Sequence, residues 1–185
     1  MYKFLYGGLL SFSLLACGTE AGQSGPDEAA TDDAATMAAE TKPAVEILDA
    51  KYIEMGRNVL KTFASENIDA FMAYFTDDAR YYFSGGDSLI GKEAISNYWK
   101  DRFANAIESV TVNQQIWLPV RVNQAQATEQ PGNWLLGWIQ VNAKYKTGKE
   151  ITFWVHQDHH LNANDKIDQT ITYLDRVPIQ AASTN

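Results

Sequence analysis

The sequence predicts an α+β domain, and three observations carry that prediction. Between Val45 and Ile107, large apolar residues recur mainly at spacings of three and four, the period of a helix. From Val110 onward the period changes to two, that of half-buried strands. The two patterns are segregated along the chain, which places helices against a sheet of sequential strands rather than between parallel ones.

The elements follow in order. Leu48, Tyr52, Met55, Val59 and Phe63 are spaced by 4, 3, 4 and 4 and share one helical face, with Lys51, Arg57 and Lys61 mostly on the other. Ile68, Phe71, Met72 and Phe75 predict a short second helix with Asn67 as its N-cap, ended by Thr76-Asp77-Asp78. Tyr81-Tyr82-Phe83 reads as a short strand closed by Ser84-Gly85-Gly86-Asp87. Gly91 introduces a third helix carrying Ile95, Tyr98, Trp99, Phe103 and Ile107. Val110 to Asn123 alternates cleanly, and Pro119, which has no amide proton, marks an edge position or a bulge. Beyond the Pro131-Gly132 loop come strands over Trp134–Tyr145, Glu150–Leu161 and Lys166–Arg176. The turns Lys146–Lys149 and Asn162–Asp165 join them.

Ahead of this domain, which occupies residues 45–185, lie two segments of different character. In residues 1–16 one cation, Lys3, precedes the apolar run Phe4–Ala16, too short to span a bilayer and suited to a signal peptide. Leu14-Leu15-Ala16-Cys17 resembles the bacterial lipobox, so Cys17 is expected to be acylated. That would tie the chain to a lipid bilayer in the bacterial cell envelope, at the periplasmic face of either membrane or at the cell surface. Residues 17–44 continue from that cysteine with Ala, Gly, Ser, Thr and acid. Six acids (Glu20, Asp27, Glu28, Asp32, Asp33, Glu40) stand against Lys42, a net charge of −5. Such a composition cannot bury enough apolar surface to offset its ordering entropy, and reads as a self-repelling tether.

Composition excludes several classes of function. The net charge of −8 and pI of about 4.8 argue against a nucleic-acid partner, which needs clustered Lys and Arg. A single cysteine excludes a disulfide framework and an all-thiolate zinc site. No cofactor motif is present.

All three histidines fall in His156-Gln157-Asp158-His159-His160. On a strand, Trp154, His156, Asp158 and His160 share one face, and His159 takes the other. A turn centred on Thr147-Gly148 would set His156 opposite Ile139. One centred on Asn164-Asp165 would set His156 opposite Tyr173, Asp158 opposite Ile171 and His160 opposite Gln169. Together these residues form an apolar face with a few embedded ionisable groups, the pattern of a small-molecule pocket. Three readings stay open: His156 and Asp158 as an acid–base pair, a metal set of His156, Asp158 and His160, or polar sheet residues satisfied by their neighbours. The expectation is no bound metal. Of the five tryptophans, Trp154 is the best candidate for an aromatic wall. Trp134 and Trp138 suit sheet packing or a homodimer interface on the outer surface. The Lys144–Lys149 turn reads as a solvated basic patch.

Three stretches resemble the nuclear-transport-factor-2-like superfamily and its SnoaL-like branch. Asn67–Ala79 is similar to the family's second helix, which ends in acids before the first strand. Gly91-Lys92-Glu93-Ala94-Ile95 with Tyr98-Trp99 is similar to its glycine-led third helix. Lys166-Ile167 with Tyr173-Leu174-Asp175 is similar to its last strand, except that Asp165 stands where a glycine usually precedes the Lys-Ile pair.

The resemblance spans about residues 45–177. It implies a cone-shaped, curved antiparallel sheet with the N-terminal helices on its concave face, a small apolar ligand in the pocket between them, and often a homodimer. It implies no single chemistry. The ketosteroid-isomerase branch carries a general-base aspartate at a position that falls here on Phe83, and a phenyl ring cannot abstract a proton. The cyclase branch uses a histidine and an aspartate on its last two strands, parts open to His156 with Asp158 or Asp168. An isomerase, cyclase or dehydratase is therefore the enzymatic alternative to simple ligand binding, and a structural dimerising domain is the third.

Overall fold

The computed structural model describes residues 42–125 and 130–184; residues 1–16, Cys17 and most of the acidic segment lie outside them. The described elements are β1 (Val45–Ile47), α1 (Lys51–Ala64), α2 (Ile68–Met72), β2 (Phe75–Phe83), β3 (Ser88–Ile90), α3 (Lys92–Asn105), β4 (Ile107–Val122), β5 (Gly132–Tyr145), β6 (Glu150–Leu161), β7 (Ile167–Tyr173) and α4 (Arg176–Ser183). The strands form one curved, unclosed sheet in the order β1-β4-β5-β6-β7-β2-β3, with the helices against one face. The α+β expectation holds. The sheet is mixed rather than wholly antiparallel, because β2 runs parallel to β7.

Helix α1 buries Tyr52, Gly56, Val59 and Leu60, close to the predicted face. Asn67 caps α2 as expected, its side chain accepting from the Ala70 amide at 3.0 Å. Phe75 and Thr76-Asp77-Asp78 belong to β2, not to the second helix: Phe75 pairs with Ile167, and tertiary pairing overrides local propensity. Gly91 sits at φ +87°, a conformation glycine adopts without penalty, and donates its amide to Ala79 O at 2.8 Å, fixing the start of α3. Strands β1 and β3, three residues each, are too short to show a period.

The last strand stops at Tyr173 rather than at Arg176, and Arg176 instead begins α4, a helix the sequence did not announce. Asp175 caps it, accepting from the Val177 amide at 2.9 Å, and Pro178 falls in the first turn, where a missing N–H costs nothing. The basic turn before β6 is not simply solvated, for it holds the far end of this helix. Thr147 Oγ1 donates to Ala182 O at 2.6 Å, and Lys149 Nζ donates to Ala181 O and Thr184 O at 2.8 Å each.

Two registers decide which side chains meet the helices. The hairpin joining β5 and β6 has a three-residue loop, 146–148, with Gly148 at φ +85° in the left-handed position such loops require. Its ladder therefore pairs His156 with Trp138, and Ile139 with Val155, one residue away from a turn centred on Thr147-Gly148. In β4 a bulge between Val112 and Gln114 inserts one residue and interrupts the long alternation. Val110 and Val112 face the helices. Beyond the bulge Trp117 takes that face, and Ile116 and Leu118 are exposed on the other.

Candidate functional site

Helices and sheet enclose a cavity of about 280 Å3. Its walls come from Val59, Leu60 and Phe63 on α1, Phe71 on α2, and Tyr98, Trp99 and Arg102 on α3. The sheet contributes Tyr81 and Phe83 from β2, Val110 and Trp117 from β4, Ile139, Val141, Ala143 and Tyr145 from β5, and Phe153, Val155 and Gln157 from β6. Arg176, Ile179, Gln180 and Ser183 close one side from α4. Among the described residues, the lining includes no carboxylate. This mostly aromatic and aliphatic enclosure with a few polar groups is typical of a site for a small apolar molecule.

One polar network lies in the wall. Gln157 Nε2 donates to Tyr81 Oη at 2.9 Å and to Thr172 Oγ1 at 3.3 Å, and Thr172 Oγ1 donates to Tyr81 Oη at 2.9 Å. The parallel pairing of β2 with β7 creates it, bringing Tyr81 alongside Thr170 and its phenol to Thr172. Burial pushes the Tyr81 phenol well above its ordinary pKa, outweighing the two donors that would favour the phenolate. Tyr81 is therefore a protonated donor across the accessible pH range.

Trp117, part of the cavity wall, sits in a slot made by two glycines. A Cβ at Gly56 would come within 2.6 Å of its ring, and one at Gly137 within 2.5 Å. Behind it His159 lies nearly parallel, with ring centroids 6.1 Å apart and planes at 25°. His159 is fully buried, bonded through Nδ1 to Thr170 Oγ1 at 2.9 Å, and desolvation lowers its pKa to about 4. It is a neutral packing histidine.

Of the residues singled out from the sequence, Ile139 lines the cavity. Trp154, His156, Asp158, His160, Gln169 and Tyr173 do not, and their assignment to the pocket is corrected. Strand alternation groups them as expected, and the pairs His156–Tyr173, Asp158–Ile171 and His160–Gln169 are present, but on the opposite, outer face. The physical reason is the one-residue shift at the 146–148 loop, which exchanges the faces of β6 relative to β5.

On that outer face, His156 sits in a row of rings. It lies 4.6 Å from Trp138 and 5.6 Å from Tyr173, centroid to centroid. Its Nδ1 donates to Gly137 O at 3.0 Å and its Nε2 lies 2.9 Å from Asp158 Oδ1. The His156–Asp158 pair is thus real, yet separated from the cavity by the thickness of the sheet. His160 pairs instead with Asp168, at 2.6 Å, so His156, Asp158 and His160 do not converge on one point. Among the described residues, no group of three or more metal-ligating side chains is placed to hold an ion.

Sequence reasoning missed Tyr81, Gln157, Thr172 and Trp99 as site residues. Trp99 and Tyr98 were legible as the apolar face of α3, but nothing local marks Tyr81 and Thr172, 91 positions apart, as partners.

The sequence profile of the SnoaL-like domain matches residues 57–169, well over half of the chain. The chain belongs to the SnoaL-like domain family. No curated relative matches it in sequence. Among solved structures, this SnoaL-like chain is similar to an NTF2-like protein of unknown function from Burkholderia pseudomallei. The identity is 11% and the TM-score 0.56, over 72% of this chain and 97% of that one. It is also similar to a Catenulispora acidiphila protein with a ketosteroid isomerase-like fold, crystallised with trimethylamine (15%, TM-score 0.53, 70% and 92%). A third is an LEH-like epoxide hydrolase of M. tuberculosis (14%, TM-score 0.51, 72% and 90%). At these identities the likeness is one of fold.

Proposed function

We propose that this SnoaL-like protein binds a small apolar or aromatic molecule in the cavity between helices and sheet, while acylated Cys17 holds it to a membrane of the bacterial cell envelope. The observation that carries the binding reading is the largely apolar, carboxylate-free cavity of about 280 Å3. The acid–base reading of His156 and Asp158 loses its support, since neither reaches that cavity. The anchor rests on Leu14-Leu15-Ala16-Cys17 at the end of the apolar run.

Small-molecule mass spectrometry of the purified full chain, compared with Ala143→Phe, tests the binding site. A retained apolar compound that Ala143→Phe loses supports it. A cavity that retains nothing and binds no naphthalene-sized probe refutes it. Labelling with a radioactive fatty acid tests the anchor, which fails if Cys17→Ser incorporates as much label as the native chain.

A second reading, homodimerisation, is favoured by the outer sheet face. Ile116, Leu118, Trp138, Trp154 and Tyr173 are all exposed on four neighbouring strands, and Trp154 is 47% exposed. Aromatic surface of this extent is enriched where protein partners meet.

A further inference from the structure

Arg102 lines the cavity from the last turn of α3 and is partly exposed, so its side chain is within reach of solvent and ligand alike. Among the described residues its guanidinium has no ion pair and no hydrogen bond. The other arginine of the wall, Arg176, is already held by Asp87 and lies over the Phe83 ring. Arg102 is thus a spare cation on a largely apolar wall that supplies no carboxylate. A guanidinium is always charged at ordinary pH, and its planar fork matches a carboxylate through two parallel hydrogen bonds.

The surroundings of Arg102 favour an anion at this end of the cavity. The C-terminal ends of α3 and α4 converge here on the Lys146–Lys149 turn, and Tyr145 and Ser183, beside that turn, also line the cavity. Helix C-termini carry partial negative charge, which would repel an anion. Lys146 Nζ donates to Ala104 O at 2.6 Å, and Lys149 Nζ donates to Ala181 O and Thr184 O at 2.8 Å each. These two ammonium groups offset the helix ends. Glu108, on the neighbouring strand, is taken up by Lys144. Burial raises the pKa of the Tyr145 phenol, and the Arg102 charge opposes that rise, so the guanidinium acts electrostatically on the cavity wall.

We infer that the ligand is an apolar acid, its carboxylate held by Arg102 at the Tyr145–Lys149 end and its apolar body in the aromatic remainder of the cavity. This rests on the binding reading above and adds to it the ligand's chemical class. A neutral ligand would take water from the guanidinium without replacing it, and a desolvated charge left unpaired is costly. A phosphate monoester would bring a second negative charge that a single guanidinium does not match. The volume of about 280 Å3 lies at the lower end for small-molecule sites, which suits an aryl or short-chain acid rather than a long acyl chain.

Two probes of one shape separate these cases: 2-naphthoate and its neutral counterpart 2-acetonaphthone, titrated calorimetrically against the full chain at neutral pH. The acid should bind roughly tenfold tighter, the ratio one charge-assisted contact supplies. Arg102→Gln should abolish that preference by weakening 2-naphthoate while leaving the ketone nearly unchanged. Arg102→Lys, which keeps the charge but not the fork, should retain part of it. Equal affinity for the two probes in the native chain overturns the inference and leaves the pocket standing. So does a preference for the acid that survives undiminished in Arg102→Gln. Should Arg102→Gln lose both probes, Arg102→Lys decides: a retained preference supports the inference, and its absence overturns it. Binding of neither probe by the native chain refutes the pocket itself, and the inference with it.

Discussion

The phenol of Tyr52 donates a 2.8 Å hydrogen bond to Oδ1 of Asp165, a residue held at φ +55° in the turn before β7. Lys51 Nζ reaches the other carboxylate oxygen at 3.0 Å. The position where the family usually has glycine thus keeps glycine's left-handed backbone, and the aspartate that replaces it ties the start of α1 to the far end of the sheet.

Asp165 should accordingly tolerate glycine better than alanine. Asp165→Ala loses both contacts and keeps the unfavourable φ, while Asp165→Gly loses the contacts but relieves about 1 kcal/mol of backbone strain. Urea unfolding at neutral pH measures the difference, and an alanine variant as stable as the glycine one contradicts it. Partial burial opposes ionisation of the carboxyl, but Tyr52 and Lys51 outweigh it and hold its pKa below 3.8. A lowered carboxylate pKa contributes stability above the unfolded value and loses it as pH falls through the folded one. The gap between native chain and Asp165→Ala should therefore persist at neutral pH and narrow only below 3.8.

His159 adds a second loss of stability on acidification, at higher pH. Its pKa is lowered from 6.5 to about 4, so between those values the unfolded chain binds a proton the folded chain refuses. Stability should fall as pH drops through that window and level off below it, by an amount on the order of 3 kcal/mol. His159→Gln should flatten the stability profile across the same window. Parallel profiles for the two proteins would show that His159 is not the group responsible.

The slot around Trp117 leaves no room for a methyl group. Gly137→Ala should destabilise the domain by about 1–3 kcal/mol through overpacking against the indole. Combining it with Trp117→Phe should recover part of that loss, since the smaller ring makes room. Strict additivity of the two changes in denaturant unfolding would mean that they do not share the site.

The outer sheet face predicts a defined change in assembly. Trp138→Glu places a carboxylate beside His156 in the middle of the exposed apolar row. Analytical ultracentrifugation should find the native chain dimeric and this variant monomeric with its circular dichroism unchanged. A monomeric native chain disposes of the homodimer reading.

Much of this was legible from residue order. The 4-3-4-4 spacing located α1, Asn67 announced the cap of α2, and Gly91 announced α3. Period-two alternation placed Trp154, His156, Asp158 and His160 together. Alternation says which side chains share a face, but not which face is covered. Here both faces of β6 are rich in apolar side chains, Phe153 and Val155 on one and Trp154 on the other, so neither looks more like the interior.

The sequence by itself thus determined the α+β class, the first three helices, the run of long strands that follows them, and the grouping of residues along each strand, because these depend on local periodicity. The tertiary structure decided which group meets the cavity. A three-residue loop at 146–148, one extra residue in β4 and the parallel pairing of β2 with β7 turned His156 and Asp158 outward, and Tyr81, Gln157 and Thr172 inward. Each is a matter of a single residue of register or of a contact between distant segments. The energy of such choices lies in packing across the whole sheet, which no local window of sequence contains.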